Sequence, residues 1–115
     1  SSWAGKYVTT LTGPAYTAAK HGVNALTESI NMEAGHFGVR ACAICPGEVA
    51  TPILDKRPIP VSKADKEKMV QPEDCAETIS FLTKLPSRVC INEITISPTW
   101  NRLYVAGLTD QIPKN

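Results

Sequence analysis

Tyr16 and Lys20 stand four residues apart in the stretch GPAYTAAKHGVNALTESI, which runs from Gly13 to Ile30. Four helical residues turn about 400°, so the two side chains share one face, about 40° apart and one turn along. A phenol titrates near 10 and is a poor base at neutral pH. Easing its ionisation by about three units takes roughly 4 kcal/mol, the order that an ammonium about 4 Å away supplies at an effective dielectric near 20. Tyr-x-x-x-Lys on a helix is therefore a workable proton-transfer device. On many helices the same pair only packs a lysine stem along a ring. His21 points about 100° away from Lys20 around the helix, and reads as a surface or packed histidine rather than a general base.

The elements that must position this pair follow from the pattern around it. Pro14 suits a first helical turn, where its missing N–H costs nothing, and Ala15, Ala19, Val23, Leu26 and Ile30 recur at helical spacing. The helix is expected to end near Gly35 to Gly38. Val39 to Cys45 is short, apolar and closed by Pro46-Gly47, which predicts a strand buried on both faces and a turn after it. Pro52 to Val70, with Pro58, Pro60 and several lysines, reads as a loop or short helices. Pro72, Glu73 and Asp74 open a second helix with Cys75, Ile79, Leu82 and Leu85 inward, stopped by Pro86. Cys90 to Ser97 is rich in β-branched residues and predicts a second strand, before an irregular tail from Pro98. Two strands joined through a helix make a βαβ unit with a right-handed crossover, so the fold class is α/β with a parallel sheet. Two strands alone make a poor sheet, and the chain opens at Ser1 rather than Met. A segment upstream is expected to complete it.

Composition narrows the function. At 115 residues the chain fits within one domain, and 12 basic against 11 acidic residues, a formal charge of +1, cannot form the basic stripe that a nucleic-acid backbone requires. No apolar run approaches the roughly 18 residues of a membrane span, and no signal-peptide pattern opens the chain, so no membrane role and a cytoplasmic location are expected. Cys42 and Cys45 form a C-x-x-C, but on a strand they point to opposite faces, and Cys75 and Cys90 offer no second close pair. No metal site is expected. Lys56, Arg57, Lys63, Lys66 and Lys68 make the segment after Pro52 basic, which either favours an acidic substrate or is a solvated face.

SSWAG at Ser1 to Gly5, YTAAK at Tyr16 to Lys20, GVRACAICPGEVATP at Gly38 to Pro52 and QPEDCAETISFL at Gln71 to Leu82 together resemble the short-chain dehydrogenase/reductase family, in family order. The resemblance spans Ser1 to about Trp100. It implies that residues 1–115 are the C-terminal half of one doubly wound, parallel-sheet, Rossmann-like NAD(P)-binding domain whose N-terminal half is absent. By match to the family pattern, Tyr16 is the catalytic acid/base. Lys20 eases its ionisation and hydrogen-bonds the nicotinamide ribose, and Ser2 orients the substrate oxygen. The turn Pro46, Gly47, Val49 and Thr51 meets the nicotinamide, Val49 through its backbone and Thr51 near the carboxamide. Such a turn lies where open α/β sheets bind ligands, beyond the carboxyl ends of their strands. Ser2 lies fourteen residues before Tyr16, one more than the commonest family spacing, which implies a longer loop between them. The glycine-rich pyrophosphate turn, the residue that selects NAD or NADP, and the asparagine of the family's proton relay are missing. The activity implied for the complete protein is NAD- or NADP-dependent alcohol dehydrogenase or carbonyl reductase chemistry on a small-molecule carbonyl or alcohol. Assembly as a homodimer or homotetramer through the Tyr16 helix is implied too. The alternative is a non-catalytic truncated or interaction protein that keeps the motifs.

Overall fold

The computed structural model describes residues 1–56 and 59–101, so Arg57, Pro58 and most of the tail predicted from Pro98 lie outside the described residues. A short 3-10 turn, Trp3–Gly5, is followed by helix α1, Gly13–Ala34, and strand β1, Ala43–Pro46. A 3-10 turn Pro52–Lys56 and a short helix α2, Lys63–Glu67, form a lobe. Helix α3, Pro72–Thr83, and strand β2, Glu93–Ile96, complete the order. The strands pair in parallel, Ala43 with Glu93 through Pro46 with Ile96, which is the α/β arrangement that the helix-strand alternation predicts.

Local chemistry sets the ends of α1. Gly13 adopts φ +75°, a conformation open to glycine, and Pro14 follows in the first turn. At the other end the helix tightens into a 3-10 turn, Gly35–Phe37, and Gly38 leaves it at φ +84°. Helix α3 begins at Pro72 as expected, and Asp74 Oδ2 accepts from the Gln71 amide at 2.7 Å, satisfying a donor at the helix start.

Three expectations need correction. The face of α1 turned toward the sheet is Thr17, Lys20, Asn24, Thr27, Asn31 and Ala34, each buried or half-buried, whereas Ala15, Ala19, Val23, Leu26 and Ile30 are exposed, Leu26 at 61%. Polar side chains win the inner face because they hydrogen-bond the turns and loop backbone beneath. Ile79 of α3, predicted inward, is likewise exposed, while Cys75, Leu82 and Leu85 are half-buried. Both strands are shorter than predicted. β1 buries one face, Ala43 and Cys45, and leaves Ile44 and Pro46 half-covered. Residues before Ala43 are held by side chains instead: Arg40 Nη1 donates to Pro86 O at 2.9 Å and Val89 O at 2.8 Å.

Among the described residues the buried apolar side chains are Trp3, Ala4, Ala43, Cys45, Leu54, Met69 and Val70. Among the described residues no helix is long and apolar enough to cross a membrane.

Candidate active site

The direction of α1 places Tyr16 and Lys20. Asn24 reaches Glu93 at the start of β2 and Cys45 on β1, and Asn31, two turns on, reaches Ala41 and Cys90. Going down the helix therefore means going back along the strands, and α1 runs antiparallel to β1. Lys20 lies about 6 Å above Asn24 along the helix axis, and two strand residues beyond Cys45 also rise about 6.6 Å. Lys20 is thus level with Gly47, and Tyr16, a further turn on, stands level with the turn beyond the carboxyl ends of the sheet. The Lys20 ammonium sits over the Tyr16 ring, 5.4 Å from its centroid. The two side chains share one face of the helix, as their spacing predicts.

The Ser2 segment is brought against the same helix turn. Ser1 Oγ donates to Lys20 O at 3.2 Å, and Ser2 Oγ caps the Trp3–Gly5 turn by accepting from Ala4 N at 3.1 Å. Gly5 lies so close to α1 that a Cβ there would fall 2.9 Å from Lys20 O and 3.0 Å from Asn24 Nδ2. Trp3 is buried and stacks on Tyr7 at 4.4 Å, and Thr12 and Thr17 share a 2.9 Å hydroxyl hydrogen bond across the loop into α1. His21 Nδ1 donates to Thr17 O at 2.9 Å, the packed role expected of it.

The turn after β1 is tied down on both sides. Gly47 N donates to Ile96 O, and Pro98, Ile96 and Ser97 close around Gly47 at 3.4 to 3.5 Å from where a Cβ would sit. An isolated parallel bridge joins Val49 to Val70, carried by Ala50 N to Val70 O at 2.8 Å and Val70 N to Glu48 O at 3.0 Å. In that pattern the N–H and C=O of Val49 itself face away from Val70, free to meet a ligand. Beyond the turn, Ala50, Lys63, Lys66, Glu67 and Gln71 line a shallow hollow of about 370 Å³. Of the basic residues there, Lys66 pairs with Asp55 and Lys68 lies 5.3 Å from the centre of the Trp100 ring.

Tyr16, Lys20 and the Pro46–Thr51 turn therefore stand at one end of the sheet, with the Ser2 segment packed on the same helix. Sequence reasoning missed Lys6, Asn24, Asn31 and Glu93, which tie these parts together. The spacing of Asn24 and Asn31 by seven, on one face with Thr17 and Thr27, was the available signal. Among the described residues no cluster of three His, Cys, Asp or Glu could hold a metal. Burial raises the Cys42 thiol above its ordinary range, with the Cys90, Cys45 and Glu93 charges adding to it. Burial likewise raises Cys75, with Asp74 adding to it.

With this geometry in place, similarity to known proteins is informative. Residues 1–60 match the sequence profile of the short chain dehydrogenase family (adh_short). An "uncharacterized oxidoreductase" of Staphylococcus saprophyticus is 32% identical over 83 residues, 72% of this chain and 33% of the relative. One from Staphylococcus aureus strain MW2 is 34% identical over 83 residues, 72% of this chain and 34% of that protein. Among solved structures, a short-chain dehydrogenase/reductase family oxidoreductase from Burkholderia thailandensis superposes with a TM-score of 0.72 at 28% identity, over 96% of this chain and 48% of that one. A serine dehydrogenase complexed with NADP+ does so with a TM-score of 0.70 at 26% identity, over 84% of this chain and 41% of the other. The chain belongs to the short-chain dehydrogenase/reductase family, and its α/β fold is part of that family's doubly wound, Rossmann-like architecture. It spans about a third of the length of the curated relatives it matches.

Proposed function

We propose that this chain carries the proton-transfer half of an NAD- or NADP-dependent oxidoreductase that interconverts a small-molecule alcohol and its carbonyl. The observation that carries the reading is the Lys20 ammonium 5.4 Å from the Tyr16 ring centre. A bound nicotinamide supplies or accepts the hydride. Tyr16 Oη gives the proton to the substrate oxygen in reduction and takes it in oxidation. Ser2 donates a hydrogen bond to the same oxygen as negative charge develops there. Lys20 holds the ribose hydroxyls and stabilises the phenolate by its charge.

The residues present fit a nicotinamide. Lys20 makes no ion pair with a described residue, so its three donors are available. The backbone N–H and C=O of Val49, turned away from the Val70 bridge, match a carboxamide that both donates and accepts, with Thr51 beside them and Pro46 and Gly47 forming the floor of the turn. The NADP+ found in the serine dehydrogenase supports a nicotinamide cofactor of this class. The uncovered stripe of Val23, Leu26 and Ile30 on α1 supports pairing of copies through that helix, as a homodimer or homotetramer.

Tyr16→Phe in the full-length protein tests the reading. The ring still packs and only the ionisable oxygen is lost, so nicotinamide-dependent turnover should fall by at least about a thousandfold with cofactor affinity within about threefold of wild type. Turnover within about tenfold of wild type would reject Tyr16 as the acid/base.

A further inference from the structure

The Ser2 segment and the Lys20 helix turn come from different parts of the chain, and the proposed reaction needs them in fixed register. A misplacement of about 1 Å costs such a site as much as 100-fold in rate. Besides the Ser1 Oγ to Lys20 O hydrogen bond, one amide joins them. Asn24, one turn below Lys20, uses Nδ2 to donate to Gly5 O at 3.0 Å and to Glu93 Oε1 at 3.1 Å. Its Oδ1 accepts from the Cys45 thiol at 3.7 Å, and that thiol has no exposure to solvent. The second Glu93 oxygen, Oε2, takes the Lys6 ammonium at 2.9 Å. Lys6 follows the Trp3–Gly5 turn directly, so Glu93 grips the Ser2 segment twice: through Lys6, and through Asn24 to Gly5.

The placement of Glu93 is not one that the strand requires. It is the first residue of β2, an exposed position where a side chain facing water would leave the ladder intact. Its carboxylate instead turns to α1 and to the segment after Ser2, and both oxygens have cationic or amide partners. A surface ion pair by itself contributes little, but here the carboxylate also fixes an amide whose other hydrogen sits on the Gly5 carbonyl. Gly5 packs closely on α1, where even a Cβ would fall 2.9 Å from Lys20 O. The bracket therefore sets where Ser2 stands relative to the helix turn of Lys20.

We propose that Glu93, acting through Asn24 and Lys6, is a positioning residue that holds the Ser2 segment in register with the Tyr16–Lys20 helix. The role rests on the assignment of Ser2 above, and a kinetic cycle with Ser2→Ala in the full-length protein separates the two. Glu93→Ala should lower kcat about 10- to 100-fold while the nicotinamide KM stays within about threefold. In the Ser2→Ala background the same change should lower kcat by less than about threefold, because the group it positions is already gone. Glu93→Gln keeps an acceptor for Asn24 but loses the one for Lys6, so the tie to Gly5 through Asn24 remains and kcat should lie within about fivefold of wild type. If Glu93→Ala does not fold, Asn24→Ala takes its place in the cycle with the same expectations. Equal losses from Glu93→Ala with and without Ser2, or a lowered melting temperature with unchanged kcat, would overturn the positioning role and leave Ser2 standing. A silent Ser2→Ala would overturn both.

Discussion

Asn31 grips both backbone polar groups of Ala41: Nδ2 donates to Ala41 O and Oδ1 accepts from Ala41 N, each at 2.8 Å. A helix side chain has thereby replaced a strand neighbour for the residue just ahead of β1. With Asn24 it forms two rivets that run α1 antiparallel to the strands, and that direction lifts Tyr16 and Lys20 to the open end of the sheet.

Removing the lower rivet should destabilise the fold more than an average half-buried residue does. Asn31→Ala leaves the Ala41 N–H without its partner and Ala41 O with only the weaker Cys90 thiol donor at 3.6 Å, at about 2 kcal/mol together. Asn31→Asp keeps the acceptor for Ala41 N but sets a carboxylate oxygen against Ala41 O, so it should be no more stable than Asn31→Ala. Urea unfolding of the full-length protein at neutral pH measures both. Equal midpoints for wild type and Asn31→Ala would mean that the clamp contributes nothing.

Raised thiols make a separate prediction about pH. Cys42 and Cys75 are both shifted up by burial, so the fold favours their protonated forms. A folded-state value above the unfolded one gives a contribution that is complete below about 9, the ordinary thiol value, and is lost as pH rises further. Melting temperature should therefore fall above about pH 9 more steeply in wild type than in a Cys42→Ala, Cys75→Ala double variant. Parallel curves would show that neither thiol feels the fold.

Much of this was legible in the residues themselves. Glycine and proline act through their own backbones, so Gly35 to Gly38 stop α1 and Pro72 starts α3 where local chemistry says they must. Tyr16 and Lys20 meet because a single helix carries both. The inner face of α1 was not legible, because an apolar stripe marks the face that some surface covers without naming that surface. Among the described residues nothing apolar covers Val23 and Leu26, and the sheet is met by Asn24 and Asn31. The Asn24–Glu93 hydrogen bond joins residues 69 apart in sequence, and no local pattern encodes such a pairing. Strand length failed for a related reason: residues 39–42 have strand-like composition, but Asn31 and Arg40 hold this stretch in place of a ladder partner.

The central claim is that Tyr16 and Lys20 work as one proton-transfer unit, and the pH profile of alcohol oxidation by Lys20→Met in the full-length protein tests it most directly. Without the ammonium, the phenolate loses the positive charge proposed to stabilise it. The rising limb of kcat should then move to higher pH, with a loss at neutral pH approaching a thousandfold that shrinks as the solution becomes alkaline. Nicotinamide affinity should weaken as well, because the same ammonium holds the ribose. A profile that keeps its wild-type position and falls by the same factor at every pH would contradict the account, leaving Tyr16 and Lys20 as a ring and a stem that share one face of α1.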